Sequence, residues 1–181
     1  MTLSARQRGD WRRHRIAWGN CVKCPAICEE TKVFGRGQFT PDLLFVGIAP
    51  GQSEDAMGVP FVGRSGKLLE QCIRSAEERL GEPVRSYFLN LVLCRTYEPP
   101  NKNRDPSDAE IANCRPRLER AIKIVDPKAV VRLGQLVQTT LTVPLPMLDL
   151  PHPAYVLRGG MKTQEYVVAI AAAVHAMKGD E

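Results

Sequence analysis

The sequence predicts an α/β protein in three layers, with a central, mainly parallel four-stranded sheet between two layers of helices. Short apolar runs alternate with longer segments of helical periodicity, which is the pattern of parallel strands joined by crossover helices. A long glycine-rich loop follows directly on one apolar run, and open sheets of this kind bind ligands at the carboxyl ends of their strands. The chain has 181 residues, enough for one substantial core, so residues 1–181 are expected to form one domain.

Taken in order, residues 5–18 carry five arginines with Trp11, Ile16 and Trp18, and predict a basic helix within residues 1–20. Leu43-Leu44-Phe45-Val46 reads as the first buried strand. A helix starts near Ser65 and places Leu68, Leu69, Cys72 and Ile73 on one face. Val84 to Leu93 reads as the second strand, and Glu98 to Pro106 as a loop with three prolines. Ser107-Asp108-Ala109-Glu110 has capping-box spacing. The helix after it presents Ile111, Cys114, Leu118, Ala121, Ile122 and Val125. Pro116 removes one helical hydrogen bond and predicts a bend near Cys114. Lys128 to Leu133 is the third strand, and Gly134 begins another helix. Met147 to Leu150 is the fourth, short strand, and Thr163 to Met177 a closing apolar helix.

Composition is ordinary: 44% hydrophobic and 25% charged residues, with a net charge of +5 and a pI near 9.0. That charge suits an anionic partner such as DNA, and equally a basic surface kept for solubility. The longest apolar stretch, Tyr166 to Ala173, is too short to span a bilayer. Met1 to Arg15 is basic without the apolar stretch of a signal peptide, so a cytoplasmic location is expected.

Six cysteines stand at 21, 24, 28, 72, 94 and 114. Cys21-x-x-Cys24 in a reducing compartment points to metal or redox chemistry before disulfides. Zinc and an iron–sulfur cluster use the same four thiolates, and spacing alone does not separate them. A thioredoxin-like role is disfavoured, because the pair does not follow a strand in a βαβ pattern.

Residues 47–69, Gly-Ile-Ala-Pro-Gly-Gln-Ser-Glu-Asp-Ala-Met-Gly-Val-Pro-Phe-Val-Gly-Arg-Ser-Gly-Lys-Leu-Leu, are the most informative stretch. The Gly-x-Ala-Pro-Gly start, Glu54-Asp55 and Pro60-Phe61-Val62-Gly63 resemble the first motif of the iron–sulfur uracil-DNA glycosylases, families four and five. Asn90-Leu91-Val92-Leu93-Cys94-Arg95, Cys114-Arg115-Pro116 and His152-Pro153-Ala154-Tyr155-Val156-Leu157-Arg158 resemble the family's later motifs. The resemblance covers roughly Cys21 to Arg158. It implies a monofunctional, monomeric uracil-DNA glycosylase of base-excision repair, acting on uracil-containing DNA, single- or double-stranded, and carrying a 4Fe-4S cluster. Cys21, Cys24, Cys94 and Cys114 match the cluster ligands; Cys28 falls outside the pattern, as a buried thiol or bystander, and Cys72 reads as a core residue. Phe61 matches the residue that stacks on uracil, Asn90 the one that pairs with it, and His152 the second-motif histidine. Gly47, Ile48, Ala49, Pro50 and Gly51 would border the base.

The loop lacks Gly-Lys-Ser/Thr and a complete Gly-x-Gly-x-x-Gly, so a nucleotide cofactor is not expected. Backbone amides from Gly63 to Gly66, with Arg64 and Ser65, could hold a DNA phosphate, and Arg158 could sit near the groove. The basic amino terminus is read as a further phosphate contact.

Singly, each of these residues has a plain structural explanation: Phe61 as core, Asn90 as a turn residue, His152 as part of a rigid loop. Two departures stand out. Ile48 replaces the glutamate usual in family four, and Ala49 stands where other glycosylases place a water-activating aspartate. The segment from Cys94 to Arg104 is also longer than the family pattern. These departures keep two other functions open: a DNA- or partner-binding protein without catalysis, and a glycosylase for another modified pyrimidine.

Overall fold

The structure, a computed structural model, describes residues 4–27 and 30–178. Helix α1 spans Ala5–Gly19 and is opened by a Ser4/Gln7 capping box. A 3₁₀ turn, Pro25–Ile27, leads to a short strand β1, Arg36–Gly37. Strand β2 (Leu43–Gly47) is followed by α2 (Gln52–Met57) and α3 (Arg64–Leu80). Strand β3 (Ser86–Asn90) precedes a two-stranded hairpin, β4 (Tyr97–Glu98) and β5 (Lys102–Asn103). Helix α4 (Asp108–Val125), β6 (Ala129–Leu133), α5 (Gln135–Thr140), β7 (Met147–Leu150), α6 (Pro153–Leu157) and α7 (Thr163–Lys178) complete the chain.

The sheet has five strands in the order β1-β3-β2-β6-β7, and all pairs are parallel except β1 with β3. This corrects the four-stranded expectation. A two-residue strand offers no alternation to read, and it runs tight against β3: a Cβ on Gly37, at φ +133°, would meet Ser86 O at 2.3 Å. Side chains of the central strands alternate between two cores. Leu43, Phe45, Phe88, Val131 and Leu133 pack against α3 and α7, while Leu44, Val46, Tyr87, Leu89 and Val130 pack beneath α4. Each such fully buried side chain contributes about 1.5–3 kcal/mol.

The second strand is shorter than expected. Leu91, Val92 and Leu93 are almost fully buried, but in the segment beyond β3 rather than in the sheet. Leu91 N–H and Val92 N–H bond the carbonyls of Gly47 and Ile48, at 2.9 and 3.3 Å. The capping box at Ser107 is present, with Ser107 N–H donating to Glu110 at 2.7 Å. Helix α4 continues past Pro116 as one element. Cys28 lies outside the described residues.

Helix α1 is basic on its outer face but is held inward by aromatic contacts. Trp11 stacks on His14 with centroids 5.2 Å apart and meets Phe39 and Tyr87 edge-on, at 5.6 and 5.9 Å. Gln7 donates to Ile124 O at 3.4 Å, next to the carboxyl end of α4. The first turn of α1 therefore lies at the end of the sheet away from the loops that follow β2 and β3.

Candidate functional site

A cavity of about 470 Å³ opens at the carboxyl ends of β2, β3 and β7. The β2 side contributes Ile48, Ala49, Pro50, Gly51, Glu54, Phe61 and Ser65. The end of β3 contributes Asn90; the hairpin and the turn after it contribute Asn103, Arg104 and Asp105; and the segment after β7 contributes His152 and Ala154.

Phe61 and Asn90 face each other across Gly47. A Cβ on Gly47 would come within 2.6 Å of Asn90 Oδ1 and 2.8 Å of Phe61 Cζ, so any side chain there would displace one of them. Phe61 holds a left-handed backbone (φ 57°), an unusual state for a bulky residue that its surroundings must enforce. Arg36 supplies part of that restraint: its guanidinium donates to Pro60 O at 2.7 Å and Phe61 O at 3.0 Å, and it pairs with Glu70 at 2.6 Å. Gly66 supplies the rest, since a Cβ there would sit 2.1 Å from Phe61 O.

Glu54 fastens the loop. Its carboxylate accepts from Gly51 N–H at 3.1 Å and Gly63 N–H at 2.6 Å. Asp55 points elsewhere and accepts from Thr31 N–H at 2.9 Å.

His152 caps α6. Its Nδ1 accepts from Ala154 N–H at 3.2 Å, which leaves the proton on Nε2. Burial lowers its pKa from the ordinary 6.5, helped by the charge of Arg158, while Asp105 and Glu54 act in the opposite sense. The ring is thus a neutral donor. Its backbone approaches Gly134, where a Cβ would lie 3.2 Å from His152 Cβ. The buried Tyr166 hydroxyl donates to Pro151 O at 2.9 Å and steadies the preceding turn. Arg64 is the exposed first residue of α3, with Ser65 beside the cavity; Arg158 is exposed at the end of α6.

Cys21, Cys24, Cys94 and Cys114 line one small cavity of about 20 Å³ with Ile27, Val92 and Leu93. Burial pushes the Cys94 thiol up to about 11 and raises that of Cys24. Asn113 donates to Cys24 Sγ at 3.6 Å and to Lys23 O at 3.1 Å, fixing the loop that carries Cys24. Among the described residues no group of three or more His, Cys, Asp or Glu side chains is arranged to hold a metal ion. The donor set still fits a thiolate-bound group: four free thiols from three separate segments share a largely apolar cavity. Cys72 is buried within the other core, under α3.

Residues 34–175 match the sequence profile of the uracil DNA glycosylase superfamily. The chain belongs to that superfamily. It is similar to proteins named type-4 uracil-DNA glycosylase. The one from Sulfurisphaera tokodaii is 46% identical over 118 residues, 64% of this chain and 50% of the relative. The one from Saccharolobus solfataricus is 42% identical over 117 residues, 64% and 51%. The one from Thermotoga maritima is 42% identical over 115 residues, 63% and 56%. The chain thus spans about half the length of these relatives.

In this member of the uracil DNA glycosylase superfamily, the residues singled out by sequence fall into two groups. Phe61, Asn90, His152 and the Ile48–Gly51 turn line one cavity; the four cysteines line another. Arg64 and Arg158 stand outside both linings, on the exposed surface. Sequence reading missed Arg36, the stapling role of Glu54, and Asp105. Asp105 sits in Asn103-Arg104-Asp105-Pro106, within the stretch from Glu98 to Pro106 that the sequence marks only as a loop. The longer segment after Cys94 is ordered rather than loose. Arg95 donates to Asn103 at 2.8 Å, and Arg104 forms a two-pronged pair with Glu110, at 2.8 Å on each side. The Arg104 guanidinium holds Glu110 down at about 2.

Proposed function

We propose that this chain is a monofunctional uracil-DNA glycosylase, which takes deoxyuridine out of the stack and cleaves the bond between base and sugar, leaving an abasic site. The convergence of Phe61, Asn90 and His152 on one cavity carries this reading. A flipped base needs a face to stack on and partners for its edge. Phe61 offers the face. The Asn90 amide accepts from uracil N3–H and donates to O4. As the glycosidic bond breaks, its electron pair stays with uracil and negative charge builds on O2; the Nε2–H of His152 is the donor for it. Water then adds at the sugar carbon and gives its proton to solvent or to a carboxylate. Ile48 and Ala49 supply no carboxylate and Glu54 is committed to two backbone amides, so Asp105 is the carboxylate left at the cavity to orient that water.

The first turn of α3, with Arg64 and Ser65, would hold a DNA phosphate, as helix amino termini favour anions. Arg158, exposed at the end of α6, would serve the same backbone. The first turn of α1 stands away from the loops of the cavity, which makes Arg6 and Arg8 poor candidates for this contact. Cys21, Cys24, Cys94 and Cys114 would hold a 4Fe-4S cluster, which supplies a structural cross-link. We also read the chain as a monomer acting in a reducing compartment such as the cytoplasm, where thiols stay free.

Purified protein incubated with a uracil-containing oligonucleotide, then treated with alkali, should give breaks at uracil and none at thymine or cytosine. The reaction should weaken steeply with salt, as phosphate contacts release counterions. The Ile48 and Ala49 positions favour a second reading, a binding protein without catalysis. Tight salt-sensitive binding with no breaks on any uracil substrate would support that reading against ours. Breaks only at another modified pyrimidine would redirect the substrate assignment.

Two further outcomes follow from the cavity. Gly47→Ala should slow excision by about a hundredfold, because shifting Asn90 or Phe61 by about an ångström misplaces the base. Near-normal activity in that variant would show that neither needs its present position. Excision should be constant through neutral pH and fall only below pH 6.5, since the folded pKa of His152 is lowered and its neutral form is the working one. Folding lowers this pKa, so stability also falls as pH drops below 6.5, where the unfolded chain takes up the proton before the folded one does. A rate that rises as pH falls below 6.5 would instead assign the work to a charged imidazole.

A further inference from the structure

Arg117 is 1% exposed, and among the described residues no carboxylate pairs with it. Its Nη2 donates to Asn90 O at 2.9 Å and Leu91 O at 2.8 Å. Its Nε is buried without a hydrogen-bond partner, and so are both ring nitrogens of the fully buried His14, which lies within electrostatic reach of Arg117. The groups that favour its charge are Cys114, Cys94 and Cys21. A buried guanidinium without an anion is strongly unfavourable, and two carbonyls do not neutralise it. Four neutral thiols would not either. Four thiolates on a dipositive metal core would, because the assembly carries net negative charge.

We propose that Arg117 is a positioning residue that takes the cysteine-bound group as its counter-charge and holds the carbonyl end of β3, and with it Asn90, beside the base. This rests on the reading that the four cysteines hold a thiolate-ligated metal. The chain order gives the link its logic. Cys94 follows Asn90 by four residues, Cys114 precedes Arg117 by three on α4, and the guanidinium closes the circuit between them. Occupancy of the cysteine pocket thereby bears on base recognition without touching the base.

The test compares full-length wild type with Arg117→Met and Arg117→Lys, all purified without oxygen. Iron per chain, lifetime of the colour under chelator, reduction potential, and the rate and half-saturation of single-turnover uracil excision are measured. Arg117→Met is expected to lose colour at least tenfold faster and to shift the potential to more negative values, because a positive charge no longer faces the anion. Its half-saturation for uracil DNA should rise about tenfold through the loosened Asn90. Arg117→Lys keeps the charge but not the fork. It should retain colour lifetime and potential near wild type while half-saturation still weakens, and it carries the test if Arg117→Met does not fold. A residue acting only as packing would lower stability in both variants and leave the potential unmoved. Wild-type potential in Arg117→Met, or in its absence wild-type half-saturation in Arg117→Lys, overturns the proposal. Wild type that binds no metal removes the counter-charge and overturns the proposal together with the cysteine reading. Wild type that binds metal, with Arg117 variants unchanged, sinks the proposal alone.

Discussion

His152→Ala is expected to slow single-turnover uracil excision by about a hundredfold or more, the usual cost of losing one donor to a developing oxyanion. The ring is prepared for this task before substrate arrives. Ala154 N–H occupies Nδ1, so the Nε2 proton is fixed, and burial keeps the ring neutral. No protonation step then precedes catalysis. Binding of the uncleaved DNA should change far less than the rate, because the charge on O2 exists only as the bond breaks. Full activity of His152→Ala, still specific for uracil, would remove the histidine from the mechanism and leave Asp105 to be tested. The neighbouring loop should remain intact in the variant, since Tyr166 anchors Pro151 independently of the imidazole.

Cys94→Ser and Cys114→Ser are expected to abolish the broad absorbance near 400 nm (roughly, as thiolate-ligated clusters absorb) and to lower Tm by roughly 10 °C. Losing a cross-link costs about 2–5 kcal/mol, and each kcal/mol moves Tm by about 2–4 °C in a chain of this size. Both thiols are under a tenth exposed; one stands just beyond Asn90 and the other within α4, one turn before Arg117. Cys72→Ser is the control: Cys72 lies in the opposite core, so the colour should stay. Full colour in Cys94→Ser would exclude it as a ligand. Colourless wild type with one zinc per chain would replace the cluster by zinc on the same thiolates.

The sequence disclosed the elements whose period is long enough to read. Helices α3, α4 and α7 and strands β2, β6 and β7 stand where their apolar spacing places them, to within a residue or two. The elements it hid are short. Strand β1 has two residues, α2 six and α6 five, too few for periodicity to emerge. Proline at the first position of α6 and glycine after α2 were the available signals. The run Val84–Leu93 overstated β3, because Leu91 to Leu93 are apolar for burial outside the sheet. At the site, motif resemblance picked out Phe61, Asn90 and His152. Their supports were illegible, because Arg36 reaches Phe61 from another element and Gly47 matters only through what a side chain would strike.

The carboxylate of Glu54, bonded at once to the amides of Gly51 and Gly63, also has a kinetic consequence. It closes the ends of the loop that carries Phe61 while the protein is free. The conformational entropy of ordering that loop is therefore lost during folding, not during encounter with DNA. Capture of an extruded nucleotide then requires no loop-closing step, and association should be a single phase limited by how often the nucleotide leaves the duplex. Under the proposed function, the clock for recognition would be set by DNA breathing, with the loop as a fixed receptor.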